Sequence, residues 1–216
     1  MPTKGIYCRT MIEPQKSHKD RVIALLADRG MARLAELKAT GATAATVSRL
    51  ERDGRILRLS RGLYQLADAP TEAHHALAEA SKLVPRGVVC LTSALAFHDL
   101  TDRMPARVWM AITRADRASS IVQPPMRFVR FPPRRLTEGV TANRIEGVAV
   151  PVTDPAYTVV DMFRYRSVVG LPLAIEGLKE ALRTRRTTPA ELARIATGER
   201  AWRVMRPYLE ALTHDG

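Results

Sequence analysis

The side chains best placed to do chemistry in this chain are small, hydroxylic or guanidinium-bearing, and they recur at helical spacing. Between Thr43 and Asp53, at about 100° per residue, Ala45, Ser48, Arg49 and Arg52 share one side of a helix while Val47 and Leu50 share the other. A helix that must lie close in a major groove needs small residues on its outer side. It also needs donors and acceptors that reach base edges. Ser48, Arg49 and Arg52 supply these, with Thr43 and Thr46 at the helix N-terminus. Farther along, Arg58 and Arg61 flank the turn Ser60-Arg61-Gly62, where guanidinium groups meet phosphate or the minor groove. The implied chemistry is recognition of double-stranded DNA.

Catalytic alternatives are thin. His98, Asp99 and Asp102 offer a metal or acid/base set, but they read better as a helix end, with His98 against the C-terminal dipole. The adjacent His74 and His75 point about 100° apart, so one helix cannot aim both at one metal. Asp154 is placed to cap a helix, and Asp161 on the same face reads as a local partner of Arg164. A nuclease needs at least two carboxylates, usually with a lysine, converging on a divalent metal. No Asp…Glu-x-Lys order occurs in the second part, and Glu176 with Lys179 reads as helix surface. GxGxxG, P-loop, HExxH and GxSxG patterns are missing too. The expectation is a protein without catalytic residues, cofactor or metal.

The elements that must position these groups follow from periodicity and punctuation. A first helix is expected over 17–29, stopped by Gly30, then a short second helix carrying Leu34 and Leu37 to near Gly41. Thr43 caps a third, which runs to about Asp53 before Gly54. Two apolar runs around Gly62 make a hairpin. This is the order of a winged helix-turn-helix over 17–70, and a composition change after Pro70 marks a boundary. In the second domain, 71–216, Thr71 is expected to cap a helix to about Leu83, with Glu72 in its first turn. A strand over 87–91 and a helix capped by Thr92 or Ser93 follow. Strands are expected over 107–112, 126–131 and 148–152. Asp154-Pro155 starts a helix to Arg164, and helices over 173–183, 189–196 and to about 212 complete an α+β arrangement. Residues 1–16 read as a flexible extension, with Met11 a candidate start.

Composition sharpens the partner. The net charge is +12 over 216 residues, with 13 basic against 7 acidic groups in 1–70 and 9 arginines against 2 acids in 103–144. Clustering of this kind favours a polyanion. A membrane surface is the rival, but these arginines fall in loops and short strands rather than along an amphipathic helix. Arg114, Arg117, Arg127, Arg130, Arg134 and Arg135 therefore extend the expected DNA footprint along the phosphate backbone. Neither a membrane-length apolar run nor a signal pattern occurs, and Cys8 and Cys90 make no CxxC, so a reduced cytoplasm is expected.

The run ARLAELKATGATAATVSRLERDGRILRLSRGLYQL resembles the N-terminal winged helix of AbiE-type antitoxins. The shared positions are Leu34, Leu37, Gly41, Ser48-Arg49-Leu50, Gly54 and Arg61-Gly62-Leu63-Tyr64; where relatives often carry a basic residue, this chain has Ala44. The resemblance continues through Ser93-Ala94-Leu95, His98, Leu100, Pro105, Asp154-Pro155, Thr158 to Asp161, and Glu176 with Leu178. It implies an AbiEi-type antitoxin of a type IV, abortive-infection toxin–antitoxin system. Such a protein represses its own operon by binding inverted repeats in the promoter. It opposes a nucleotidyltransferase-like toxin without forming a stable complex. The nucleotidyltransferase signature, a GS with paired aspartates, is missing from this chain, which fits the antitoxin half. Two alternatives stand: a stand-alone winged-helix regulator whose second domain senses a ligand or forms a homodimer, and a DNA-processing nuclease.

Overall fold

A serine and an aspartate that satisfy each other's backbone open the first helix, α1 (His18–Arg29). Ser17 Oγ accepts from the Asp20 N–H at 3.2 Å, and the Asp20 carboxylate accepts from the Ser17 N–H at 3.1 Å. The structure, a computed structural model, describes residues 17–118 and 123–214, so the extension expected over 1–16 lies outside the described residues. After α1 come β1 (Met31–Arg33), α2 (Leu34–Ala39), α3 (Ala44–Arg52), β2 (Ile56–Ser60) and β3 (Leu63–Leu66). Val22 and Leu26 of α1, Leu37 of α2, and Val47 and Leu50 of α3 close on Ile56 and Tyr64 as a first core. The hydrophobic periodicity thus places the helices as expected. The three-residue β1 has no such signal.

That short strand changes the architecture. Strand β3 pairs antiparallel with β2 on one edge and with β1 on the other. Alternate residues of the β1–β3 ribbon then face opposite ways. Ala32 and Tyr64 point into the first core, while Met31 and Leu63 join a second core with Leu77, Met110 and Val150. Hence Leu63, Tyr64 and Gln65 are all buried.

The rest of the chain is built on a mixed sheet of β4 (Val88–Val89), β5 (Val108–Ile112), β6 (Met126–Arg130), β7 (Val140–Ile145) and β8 (Val148–Thr153). Their order is β6-β5-β4-β8-β7; β5–β6 and β4–β8 are parallel, the other pairs antiparallel. Helix α4 (His75–Leu83) packs on the face that also receives Met31 and Leu63. The opposite face is covered by α5 (Leu91–Phe97), α6 (Pro155–Arg164), α8 (Leu171–Arg183), α9 (Pro189–Gly198) and α10 (Trp202–His214), with α7 (Arg166–Val169) linking α6 to α8. Covered on both sides, every residue of β5 is buried, in the place where the sequence leads one to expect a strand.

Several starts differ from expectation. Thr71 does not cap α4, which begins at His75 after His74 without a side-chain cap; upstream of the helix the Glu72 N–H donates to the Glu146 carboxylate at 2.7 Å. Helix α5 begins after Cys90 without a side-chain cap. Ser93 Oγ faces β5 instead, accepting from the Trp109 N–H at 3.0 Å. Strand β7 was not anticipated, since its outer face is polar and its core contribution is chiefly Ile145. Asp154 caps α6 as expected, accepting from the Tyr157 N–H at 2.8 Å with Pro155 in the first turn.

The N-terminal unit is also locked down by polar contacts. Glu36 accepts from the Arg33 N–H at 2.7 Å, from Lys82 of α4 at 3.1 Å and from Arg29 at 3.2 Å. Burial opposes ionisation of Glu36, yet these donors hold its carboxyl below the usual range. At the other end of the joint Gly30, at φ +66°, lies directly against the Glu146 carbonyl in the β7–β8 turn. An alanine Cβ there would fall on that oxygen, whereas Gly54, also at φ +66°, has nothing within 4 Å of such a Cβ. Gly30→Ala should therefore cost about 3 kcal/mol or more in urea unfolding, by overpacking added to backbone strain. Gly54→Ala should cost only about 1 kcal/mol, from the positive φ alone. Equal losses would show that Gly30 is not at a close joint.

Candidate nucleic-acid interface

Helix α3 owes its start to Thr43, whose Oγ1 accepts from the Thr46 N–H at 3.2 Å and lies 3.1 Å from the Thr46 hydroxyl. Val47 and Leu50 pin the inner side into the first core. The outer side is exposed and consists of Ala44, Ala45, Ser48, Arg49 and Arg52. Neither Arg49 nor Arg52 makes a side-chain hydrogen bond or ion pair among the described residues, so both are free to reach a partner. Asp53, the nearest acid after them, is paired with Lys19 at 3.6 Å.

The β2–β3 hairpin adds a second set. Arg61 is exposed in its turn beside Gly62 at φ +76°, and Arg58 is exposed with its Nε turned to the Ser60 carbonyl at 3.4 Å. Arg55, between α3 and β2, is likewise exposed, and its guanidinium has no partner among the described residues. Sequence reasoning passed over it; its place between the capping Gly54 and the first hairpin residue was the available signal. Arg49, Arg52, Arg55, Arg58 and Arg61 thus come from one helix, one hairpin and the junction between them. Such an arrangement can present guanidinium donors to base edges and phosphates at once.

The second-domain arginines divide. Arg114 and Arg117 are exposed, without side-chain partners among the described residues. Arg130 is exposed too, and its Nη1 donates to the carbonyls of Thr113 and Asp116. Arg127 stacks over the Trp109 ring at 4.5 Å, and Trp109 belongs to the core on the far face from α4 and the N-terminal unit. Arg134 is held by Glu138 at 2.8 Å and Glu199 at 2.6 Å. Arg135 corrects the expectation outright: it is 0% exposed and cannot touch DNA.

Arg135 instead sits inside the molecule. Its Nη2 donates to Asp161 at 2.7 Å, its Nη1 to the Glu138 carbonyl, and its guanidinium lies 4.0 Å from the Tyr157 ring centre. Asp161 was expected to pair with Arg164; Arg164 reaches Glu199 at 2.7 Å instead. Burial pushes the Asp161 carboxyl up to about 7, against the opposing pull of Arg135 and Arg164. Its Oδ1 has no hydrogen-bond partner among the described residues, which leaves the charge poorly solvated. His98 is buried with Nε2 at 2.7 Å from the Thr153 carbonyl, and burial lowers its pKa. These groups join elements rather than line a reaction site. Among the described residues, no three His, Cys, Asp or Glu side chains converge as a metal would require.

Residues 20–67, which run from α1 to just past β3, match the family model described as transcriptional regulator, AbiEi antitoxin. The resemblance seen in the sequence is thereby shown for that segment. A crystal structure of the RV2827C protein from Mycobacterium tuberculosis is similar in fold, with a TM-score of 0.60 at 15% identity, covering 90% of this chain and 77% of that one. No curated protein matches the chain. Among the described residues, no helix is long and apolar enough to cross a membrane.

The buried pair gives a test of what these residues are for. With the folded carboxyl of Asp161 near 7 and the ordinary value at 3.8, the native state keeps a proton that the unfolded chain releases. That contribution is complete below the lower value and is lost as pH rises through the upper one. Asp161→Ala leaves the buried Arg135 guanidinium, which cannot shed its charge, with Glu199 at 3.5 Å as its remaining carboxylate, and should cost about 3 kcal/mol in denaturant unfolding. Arg135→Leu leaves a carboxyl able to take up a proton. Its loss should be smaller at about pH 5 than at about pH 8. A pH-independent loss for Arg135→Leu would contradict this account.

Proposed function

We propose that the α1–β3 unit is a winged helix-turn-helix that binds inverted repeats in the promoter of its own operon. The chain then acts as repressor and antitoxin in a type IV toxin–antitoxin system. The observation that carries this reading is the outer side of α3: small residues, one hydroxyl and two unpaired guanidinium groups, on the segment that matches the regulator family. Ser48, Arg49 and Arg52 read bases, with Thr46 at the helix start. Thr43 acts through its cap. Arg58, Arg61 and Arg55 hold phosphate or the minor groove, and Arg114, Arg117 and Arg130, all exposed, lengthen the contact. The activity is binding without catalysis, in the cytoplasm. The functional partner is a nucleotidyltransferase-like toxin, opposed without a stable complex. Two half-sites call for a homodimer or for two monomers side by side.

Fluorescence anisotropy on the chain's own upstream DNA tests this reading. Affinity should fall with salt along a log–log slope of about −0.9 per phosphate neutralised. Arg61→Ala should weaken all duplexes alike and shallow the slope by about 1. Arg49→Ala should instead remove about 1–3 kcal/mol of discrimination between the operator and a scrambled duplex. Binding that ignores salt, or an Arg49→Ala protein that discriminates as well as the parent, would sink the assignment.

A further inference from the structure

The parallel neighbours β5 and β6 run out at their carboxyl ends into one cavity of about 560 Å³. Loops that leave a rigid sheet at one end are where binding side chains gather. The walls are Thr113 and Arg114 after β5, Arg130, Pro132 and Pro133 around the end of β6, and Arg164 at the end of α6. The volume suits a drug- or nucleotide-sized molecule.

The charge around this space is one-sided. Three guanidinium groups line it and no carboxylate does. Arg130 is fixed before any ligand arrives: Nη1 donates to the Thr113 and Asp116 carbonyls, and its own carbonyl accepts from the Tyr165 hydroxyl at 3.1 Å. Its Nε and Nη2 have no partner among the described residues. Arg164 is steadied through Nη1 by Glu199 at 2.7 Å, and Arg114 has no side-chain partner among the described residues. The adjacent carboxylate, Asp116, is turned away: it accepts from the Thr113 N–H and hydroxyl at 3.1 and 2.6 Å and pairs with Arg86 at 3.4 Å. Guanidinium forks pair bidentately with carboxylate and phosphate oxygens alike, and three of them around one space suit the multiply charged phosphate groups better than a single carboxylate. The two prolines supply an apolar wall for the uncharged part of the same molecule.

We propose that this cavity is a binding site for a phosphorylated small molecule of nucleotide size. Its phosphates would be held by Arg114, Arg130 and Arg164, and its apolar portion would lie against Pro132 and Pro133. The site is formed entirely by the second part of the chain and does not depend on what α3 binds. It gives Arg114 and Arg130 an occupant other than the DNA backbone.

Isothermal titration of the full chain with ATP, free of magnesium, tests the proposal, with Arg114→Ala as the decisive variant because Arg114 makes no side-chain hydrogen bond or ion pair among the described residues. The parent should show saturable binding of one ATP per chain, weakened about tenfold or more in Arg114→Ala and in Arg130→Ala, the loss expected on deleting a charge-assisted contact. Thermal unfolding of Arg114→Ala should match the parent. Arg49→Ala, which removes the same charge far from the cavity, should bind ATP unchanged. No binding, or equal weakening by Arg49→Ala, would overturn the proposal. So would an Arg114→Ala protein that keeps its ATP affinity but loses affinity for duplex DNA, since the arginine would then belong to the DNA footprint.

Discussion

The ribbon of β1 and β3 is buried on both faces, and the rest of the structure depends on that. One face closes the helical core of the N-terminal unit through Ala32 and Tyr64. The other carries Met31 and Leu63 into the core beneath α4. Each such side chain removed from water contributes about 1.5–3 kcal/mol, so the two parts share cohesion across a strand pair. The Gly30 approach to Glu146 and the Glu36–Lys82 contact then fix the angle of the joint. Helix α3 is presented from a firm base, which is what the proposed groove recognition needs. A helix on a loose linker would have to give up that freedom on binding.

The same packing sorts the arginines. A sequence shows 9 of them between 103 and 144 as a single basic block. Folding sends Arg135 to the interior, engages Arg134 with two glutamates, and stacks Arg127 on Trp109. Glu199, itself nearly buried, lies within 4 Å of three guanidinium groups from a turn and a helix end. A buried ion cluster of this kind contributes little net stability relative to apolar packing, but it penalises any arrangement that leaves one member alone. Its role here is to set how the turn Pro133–Leu136, α6 and the end of α9 meet.

Legibility followed the range of the interaction concerned. Caps were readable where donor and acceptor lie within a few residues of each other, as with Thr43 and Asp154. The two sides of α3 were readable because helical geometry alone separates Val47 and Leu50 from Ser48, Arg49 and Arg52. Strand β1 was not, since three residues give no period and only pairing with β3 makes them a strand. The start of α4 was missed for a similar reason: Glu146, a distant residue in sequence, holds the segment there by accepting from the Glu72 N–H and lying 2.8 Å from His75 Nδ1.

By itself, then, the sequence determined the helices of the N-terminal unit, the hairpin, the basic outer side of α3 and the α+β class, all consequences of spacing along one chain. Only the tertiary structure decided which arginines remain available. A guanidinium's fate depends on the carboxylates, carbonyls and rings that distant segments bring to it, and those meet only once the sheet has formed. The joint between the two parts and the cavity beyond β5 and β6 were decided at the same level. Both are made where separate elements end against each other, and no local pattern records that.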